Sequence, residues 1–179
     1  MKTTQILIAG FGGQGILFSG KFLAYKGLLD GIQVSWLPSY GPEMRGGTAN
    51  CNVILSDSPV GSPIITTPDV LIAMNLPSLQ KYVDAVAPGG QIYVDSSLID
   101  AKVERDDVEV FYIPATQMAK DNGIGTLANM IIVGHLLENH PELSFEGTDE
   151  VVTKLVPAKK AALVELNQKA LALGKNYKN

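Results

Sequence analysis

The chain has 179 residues, of which 46% are hydrophobic and 18% charged, and 14 basic against 18 acidic side chains give a net charge of −4. This length fits one domain, residues 1–179, with enough chain to bury a core unaided. The composition excludes a disordered polyelectrolyte, and the lack of a Lys/Arg run argues against a nucleic-acid footprint. Cys51 is the only cysteine, which rules out an internal disulfide, a four-thiolate zinc site and an iron–sulfur cluster held by this chain alone. The first apolar run, Ile6 to Ala9, is broken at Gly10 and is too short for a signal-peptide core. No segment reaches the roughly 18 apolar residues of a membrane span, so the expected setting is cytoplasmic, with no membrane partner.

Short apolar runs alternate with helical patterns, the signature of βαβ units. In chain order, Thr4–Ala9 reads as a strand, Gly10–Gly15 as a glycine turn, and Ile16–Leu29 as a helix closed by Asp30-Gly31. Val34–Leu37 is a second strand. Ser39–Asn50 reads as a loop, because three glycines and a proline in twelve residues exclude a regular helix. Strands follow at Cys51–Leu55, Val70–Met74 and Gln91–Asp95, and Pro77–Val86 reads as a helix. Val108–Ile113 is a strand whose acidic flank suits a sheet edge. Met118–Asn122 is a helical turn, and Leu127–Asn139 a strong helix stopped by Pro141. Thr148–Leu155 and Pro157–Leu173 complete the helices, with Gly174 read as the residue just past the last one. The expected fold is α/β: a single Rossmann-like domain, a mostly parallel sheet with helices on both faces.

Gly10-Phe11-Gly12-Gly13-Gln14-Gly15 satisfies G-x-G-x-x-G between a strand and a helix. Backbone N–H groups at a helix start attract anions, and glycines allow close approach. A dinucleotide site also needs a carboxylate at the end of the second strand. That strand ends Ser35-Trp36-Leu37-Pro38, and Asp30 precedes it. An NAD(P) dehydrogenase and a stand-alone ligand-binding module therefore stand as alternatives, beside a turn whose glycines serve packing only.

Tyr40-Gly41-Pro42-Glu43-Met44-Arg45-Gly46-Gly47 follows the second strand, where loops of doubly wound sheets gather at a ligand crevice. Arg45 can pair with phosphate or carboxylate, and Glu43 can partner or orient it.

These two segments together resemble the gamma subunit of 2-oxoacid:ferredoxin oxidoreductases, the pyruvate, 2-oxoglutarate, 2-oxoisovalerate and indolepyruvate enzymes. The resemblance covers nearly the whole chain, including Asn129-Met130 at the start of the late helix. It implies one subunit of an enzyme that decarboxylates a 2-oxoacid on thiamine diphosphate, reduces ferredoxin through [4Fe-4S] clusters and forms acyl-coenzyme A. The implied partners are alpha, beta and delta-type subunits, with ferredoxin met through the complex. A surface built for such partners can also self-associate, so a homodimer is expected when the chain is isolated. Thiamine diphosphate, magnesium and the clusters belong to those partners, and coenzyme A lies at this chain's edge. The matching positions are Gly10, Gly12, Gly13, Gln14, Gly15, Glu43, Met44, Arg45, Gly46 and Gly47. No residue of this chain is assigned a catalytic or metal-binding role.

The remaining candidates have plain readings. His135 lies on an apolar helix without a nucleophile nearby, His140 suits a helix end, and Cys51 reads as a buried thiol. Asp95-Ser96-Ser97 reads equally as a crevice-facing group or a turn cap, and Thr126 as a cap for the helix that follows.

Overall fold

The computed structural model describes residues 3–39 and 48–178. Its strands are β1 (Thr3–Phe11), β2 (Gln33–Ser39), β3 (Thr48–Ser56), β4 (Val70–Ala73), β5 (Gln91–Asp95) and β6 (Glu109–Ile113). Its helices are α1 (Ile16–Leu29), α2 (Leu76–Tyr82), α3 (Ala115–Asp121), α4 (Ala128–Asn139), α5 (Thr148–Leu155) and α6 (Ala162–Asn176). Short 3₁₀ turns at Val83–Ala85 and Ala158–Lys160 extend α2 and precede α6.

The strands form one mixed sheet in the order β2-β3-β1-β4-β5-β6. β1, β4, β5 and β6 pair in parallel, whereas β3 runs antiparallel to both β1 and β2. The reversal follows from connection length. A parallel return needs a crossover of about a dozen residues or more, usually helical, and only residues 40–47 separate β2 from β3. β3 also begins at Thr48, so the stretch expected to be loop up to Asn50 already belongs to the sheet there. β6 lies at a sheet edge, as its acidic flank suggested.

The two faces are covered unequally. Ile6, Ile8, Cys51, Val53, Leu55, Val70 and Ile72 face the larger core, which they share with buried residues of α1, α3, α4, α5 and α6. Leu7, Leu71, Ala73, Ile92 and Val94 face a smaller core closed by Leu79 of α2, Val86 and Ile99. α4 carries ten consecutive buried residues from Ala128 to Leu137, which explains its apolar sequence on every side.

Three local expectations are corrected. Gly174 does not end the last helix but lies inside α6, where a Cβ would strike the Ile131 carbonyl; reciprocally, a Cβ at Gly134 would strike the Leu171 carbonyl. The two glycines let α4 and α6 approach backbone to backbone. Thr126 does not cap α4: Leu127 occupies the cap position, with no side-chain hydrogen bond. Pro157 opens a 3₁₀ turn, and α6 proper starts at Ala162. Gly31, by contrast, takes the left-handed conformation expected beyond α1, at φ 75°.

His135 sits at the same α4–α6 crossing, 2% exposed, with Nδ1 3.0 Å from the Gly174 carbonyl and its ring edge-on to Phe111, Tyr177 and Tyr93. The carbonyl requires a proton on Nδ1. Burial lowers the His135 pKa and outweighs the opposing hydrogen bond; Lys178 lowers it further and Glu138 acts against this. Because the folded value lies below the unfolded one, the unfolded chain binds the extra proton first as pH falls. Stability should therefore decline from about pH 6.5 downward. His135→Gln should flatten that decline in denaturant midpoints measured between pH 7 and pH 5; an unchanged slope would remove His135 from the pH response.

Candidate functional site

The glycine turn joins β1 to α1. Gly13 and Gly15 hold φ at 90° and 75°, a region costly for other residues. Gly10 lies in β1 where a Cβ would come within 2.6 Å of Gln14 Oε1, 2.7 Å of Ile16 Cδ1 and 2.8 Å of Met74 Cβ. Gly12 and Gly13 are exposed.

Gln14 braces the turn from within. The Phe11 N–H donates to Gln14 Oε1 (2.6 Å), and Gln14 Nε2 donates to the Met74 carbonyl (3.0 Å) at the end of β4. The Gln14 backbone N–H itself donates to the Phe11 carbonyl (3.3 Å). Both functional ends of the side chain and the backbone donor are thus engaged in shaping the loop.

A second brace comes from α4. Asn129, 4% exposed, donates through Nδ2 to the Gly15 carbonyl (3.1 Å) and to Ser19 Oγ (2.9 Å). A Cβ at Gly15 would lie 2.5 Å from Asn129 Nδ2. The sequence marked Asn129 only through the family resemblance. Its tie to a residue 114 positions away has no local signature, because it depends on α4 packing beside α1.

Glu43, Met44, Arg45, Gly46 and Gly47 lie outside the described residues. The ends of their segment are described. Ser39 stands opposite Asn50, and Thr48 opposite Phe11. β2 and β1 point the same way, so the segment starts and finishes at the sheet edge that carries the glycine turn.

Two cavities border this turn. One, of about 290 Å³, is lined by Phe11, Gly12, Gly13, Ile16, Leu17 and Ala49 among others. The other, of about 420 Å³, lies between the turn, the start of α4 and the α5–α6 junction.

Other sequence candidates have structural duties. Asp95 is fully buried; its carboxylate accepts from the Ser97 N–H (3.1 Å), the Thr116 N–H (3.3 Å) and Thr116 Oγ1 (2.5 Å), which makes it a turn cap tied to α3. Asp30, the carboxylate nearest a dinucleotide count, is paired with buried Lys26. Cys51 is fully buried near the Ile16 carbonyl (3.4 Å), and burial pushes its thiol up to about 12, so it is an inert thiol at neutral pH. Among the described residues no cluster of His, Cys, Asp or Glu could hold a metal ion, and no helix is long and apolar enough to cross a membrane.

A braced glycine turn at the C-terminal edge of the sheet puts this chain in the class of open α/β folds, in which ligands generally bind at that edge. Within it, this chain belongs to the pyruvate ferredoxin/flavodoxin oxidoreductase family, whose sequence profile matches residues 5–177. It is 38% identical over 177 residues to the ketoisovalerate oxidoreductase subunit VorA of Methanothermobacter thermautotrophicus, a match that covers 97% of this chain and 36% of that one. The chain thus spans about a third of the length of that curated relative. Among solved structures it resembles the keto/oxoacid ferredoxin oxidoreductase gamma subunit of Geobacter sulfurreducens, with 32% identity, a TM-score of 0.82 and 96% of both chains covered. It also resembles the 2-oxoglutarate:ferredoxin oxidoreductase of Magnetococcus marinus, solved with 2-oxoglutarate, coenzyme A and succinyl-CoA bound. There the identity is 28%, the TM-score 0.86 and the coverage 98% of this chain and 31% of that one. In fold and length the chain is of the gamma-subunit type, and the dehydrogenase alternative is not favoured.

Proposed function

We propose that this chain is the gamma component of a multi-subunit 2-oxoacid:ferredoxin oxidoreductase, one that converts a 2-oxoacid to its acyl-coenzyme A with reduction of ferredoxin. Its role is to form the coenzyme A side of the shared site, while alpha, beta and delta-type subunits supply thiamine diphosphate, magnesium and [4Fe-4S] clusters. The observation that carries this reading is the convergence at one sheet edge of the braced glycine turn and both ends of the segment 40–47. The coenzyme A bound in the Magnetococcus marinus enzyme supports the choice of ligand.

In this reading Gly10, Gly12, Gly13, Gln14 and Gly15, with Glu43, Met44, Arg45, Gly46 and Gly47, form a polar lip. The backbone N–H groups of Gly13 and Gly15 and the Arg45 guanidinium attract the anionic part of coenzyme A. Gln14 contributes by holding the turn, since its amide is already engaged on Phe11 and Met74. The chain works in the cytoplasm, and its exposed Phe11, Leu76 and Leu98 suit contact with partner subunits or, in isolation, with a second copy.

Arg45→Ala should raise the KM for coenzyme A about tenfold in the assembled complex, with little change in the KM for the 2-oxoacid; tenfold is the scale of one charge-assisted contact. An unchanged KM in a fully assembled complex would sink the role of Arg45.

A further inference from the structure

β2 is an open edge of the sheet, and its free backbone is confined to a short window. Pairing with β3 runs through Pro38, opposite Cys51, to Ser39, opposite Asn50. Pro38 has no N–H, so the residues bonded to β3 are Gln33, Ser35, Leu37 and Ser39. The backbone groups of Val34, Trp36 and Pro38 then point away from β3, where the described residues place no strand. The window closes at both ends. Pro38 has no proton to donate, and the Ile32 N–H, next in the outward series, is taken by the Gly27 carbonyl (3.1 Å). The outward donors that remain are those of Val34 and Trp36, on either side of Ser35.

The side chains beside this window suit burial. Val34 and Trp36 stand opposite Leu55 and Val53 of β3, so both lie on the side of the sheet covered by α1. Trp36 and Leu37 are nevertheless each 37% exposed. No charged residue occurs from Ile32 to Ser39, in a chain of net charge −4. The other edge strand, β6, carries Glu109 and follows Asp106 and Asp107, charges of the kind that discourage strand addition. Copies of an acidic chain repel one another, and the β2 edge is where that repulsion has no local source.

We propose that the β2 edge pairs with the β2 edge of a second copy, antiparallel about a two-fold axis at Ser35. Val34 of each copy then stands opposite Trp36 of the other and exchanges both backbone hydrogen bonds with it. An aromatic side chain beside a β-branched one is also a favourable cross-strand pair. The occupant is a second copy because the window is its own complement under that axis: one donor and one acceptor on each side of Ser35, closed beyond. The edge offers no charge by which a foreign segment would be selected. This goes beyond the gamma-component reading and does not rest on it.

The test uses the full chain, with sedimentation, Trp36 emission and cross-linking as readouts. At high micromolar concentration the chain should sediment as a dimer. Dilution to monomer should shift the emission of Trp36, the only tryptophan, to the red. Ser35→Cys puts two thiols on the axis in a non-hydrogen-bonded pair, within disulfide reach, so mild oxidation should join most chains in pairs. Ser39→Cys, away from the axis, should not cross-link, and the native Cys51 is buried. In this register Gln33 of one copy faces Leu37 of the other. Gln33→Lys/Leu37→Lys should therefore weaken dimerisation about tenfold through like charges, and Gln33→Lys/Leu37→Glu should restore it. Gln33 and Leu37 are exposed, so these variants should melt with the parent. A monomer at every concentration overturns the proposal. A dimer that ignores the charge pairs and leaves Ser35→Cys uncoupled also overturns it, and places the second copy on another surface.

Discussion

Gly174→Ala should destabilise the protein by about 3 kcal/mol, the upper end of typical overpacking penalties. At this chain length that lowers Tm by roughly 10 °C. In an ordinary helix the same change gains about 1 kcal/mol, because alanine is the better helix former. Here the sign reverses, since the new methyl meets the backbone of α4 at Ile131 and the His135 N–H, and backbone cannot swing aside as a side-chain tip can. Gly134→Ala should behave alike against Leu171, and Gly125→Ala, with open space around it, should change stability by no more than about 0.5 kcal/mol. Thermal melts of the three variants decide the matter: a neutral Gly174→Ala would contradict the close crossing of α4 and α6.

Gly15→Ala should cost a similar amount for two separate reasons. The left-handed backbone alone costs a non-glycine residue about 1–2 kcal/mol. The added carbon also lies 2.5 Å from Asn129 Nδ2 and 2.7 Å from its Cγ, so Asn129 must move and give up its bonds to Gly15 and Ser19, each worth about 1 kcal/mol. The two sites should therefore couple. Asn129→Ala removes the obstacle, and the double variant should be less destabilised than the sum of the singles by about 1 kcal/mol or more. Strict additivity in a denaturant-unfolding cycle would show that the two residues do not brace one another. If the turn faces coenzyme A, Gly15→Ala should also raise its KM in the assembled enzyme.

Much of this architecture is legible in the residues. Ile16–Leu29 reads as a helix from its glycine start to Gly31, and the sheet strands read from short apolar runs bounded by turns. These signals are local: a period, a cap, a breaker. What escaped has no local signal. Gly174 looks like a helix stop because glycine so often is one, and only the partner helix shows why glycine is needed inside α6. Thr48–Asn50 reads as loop because it closes a stretch rich in glycine and proline, yet pairing with Phe11, Gly10 and Ala9 draws it into β3. The candidate site divides in the same way. The glycine turn is visible as a motif, whereas Gln14 reaching Met74 and Asn129 reaching Gly15 are meetings across 60 and 114 positions that only the folded chain creates.

If this chain is the gamma component of a 2-oxoacid oxidoreductase, it should be found with the other subunits in its native cell. The most direct measurement is affinity isolation of the chain from its native cell extract under mild, anaerobic conditions. The co-purifying polypeptides are identified, and the eluate is assayed for low-potential dye reduction that depends on both a 2-oxoacid and coenzyme A. Co-purification of thiamine- and iron–sulfur-bearing subunits with that activity is the predicted result, and the 2-oxoacid that works names the enzyme. A chain recovered alone, with no such activity in the eluate, would contradict the gamma-component role.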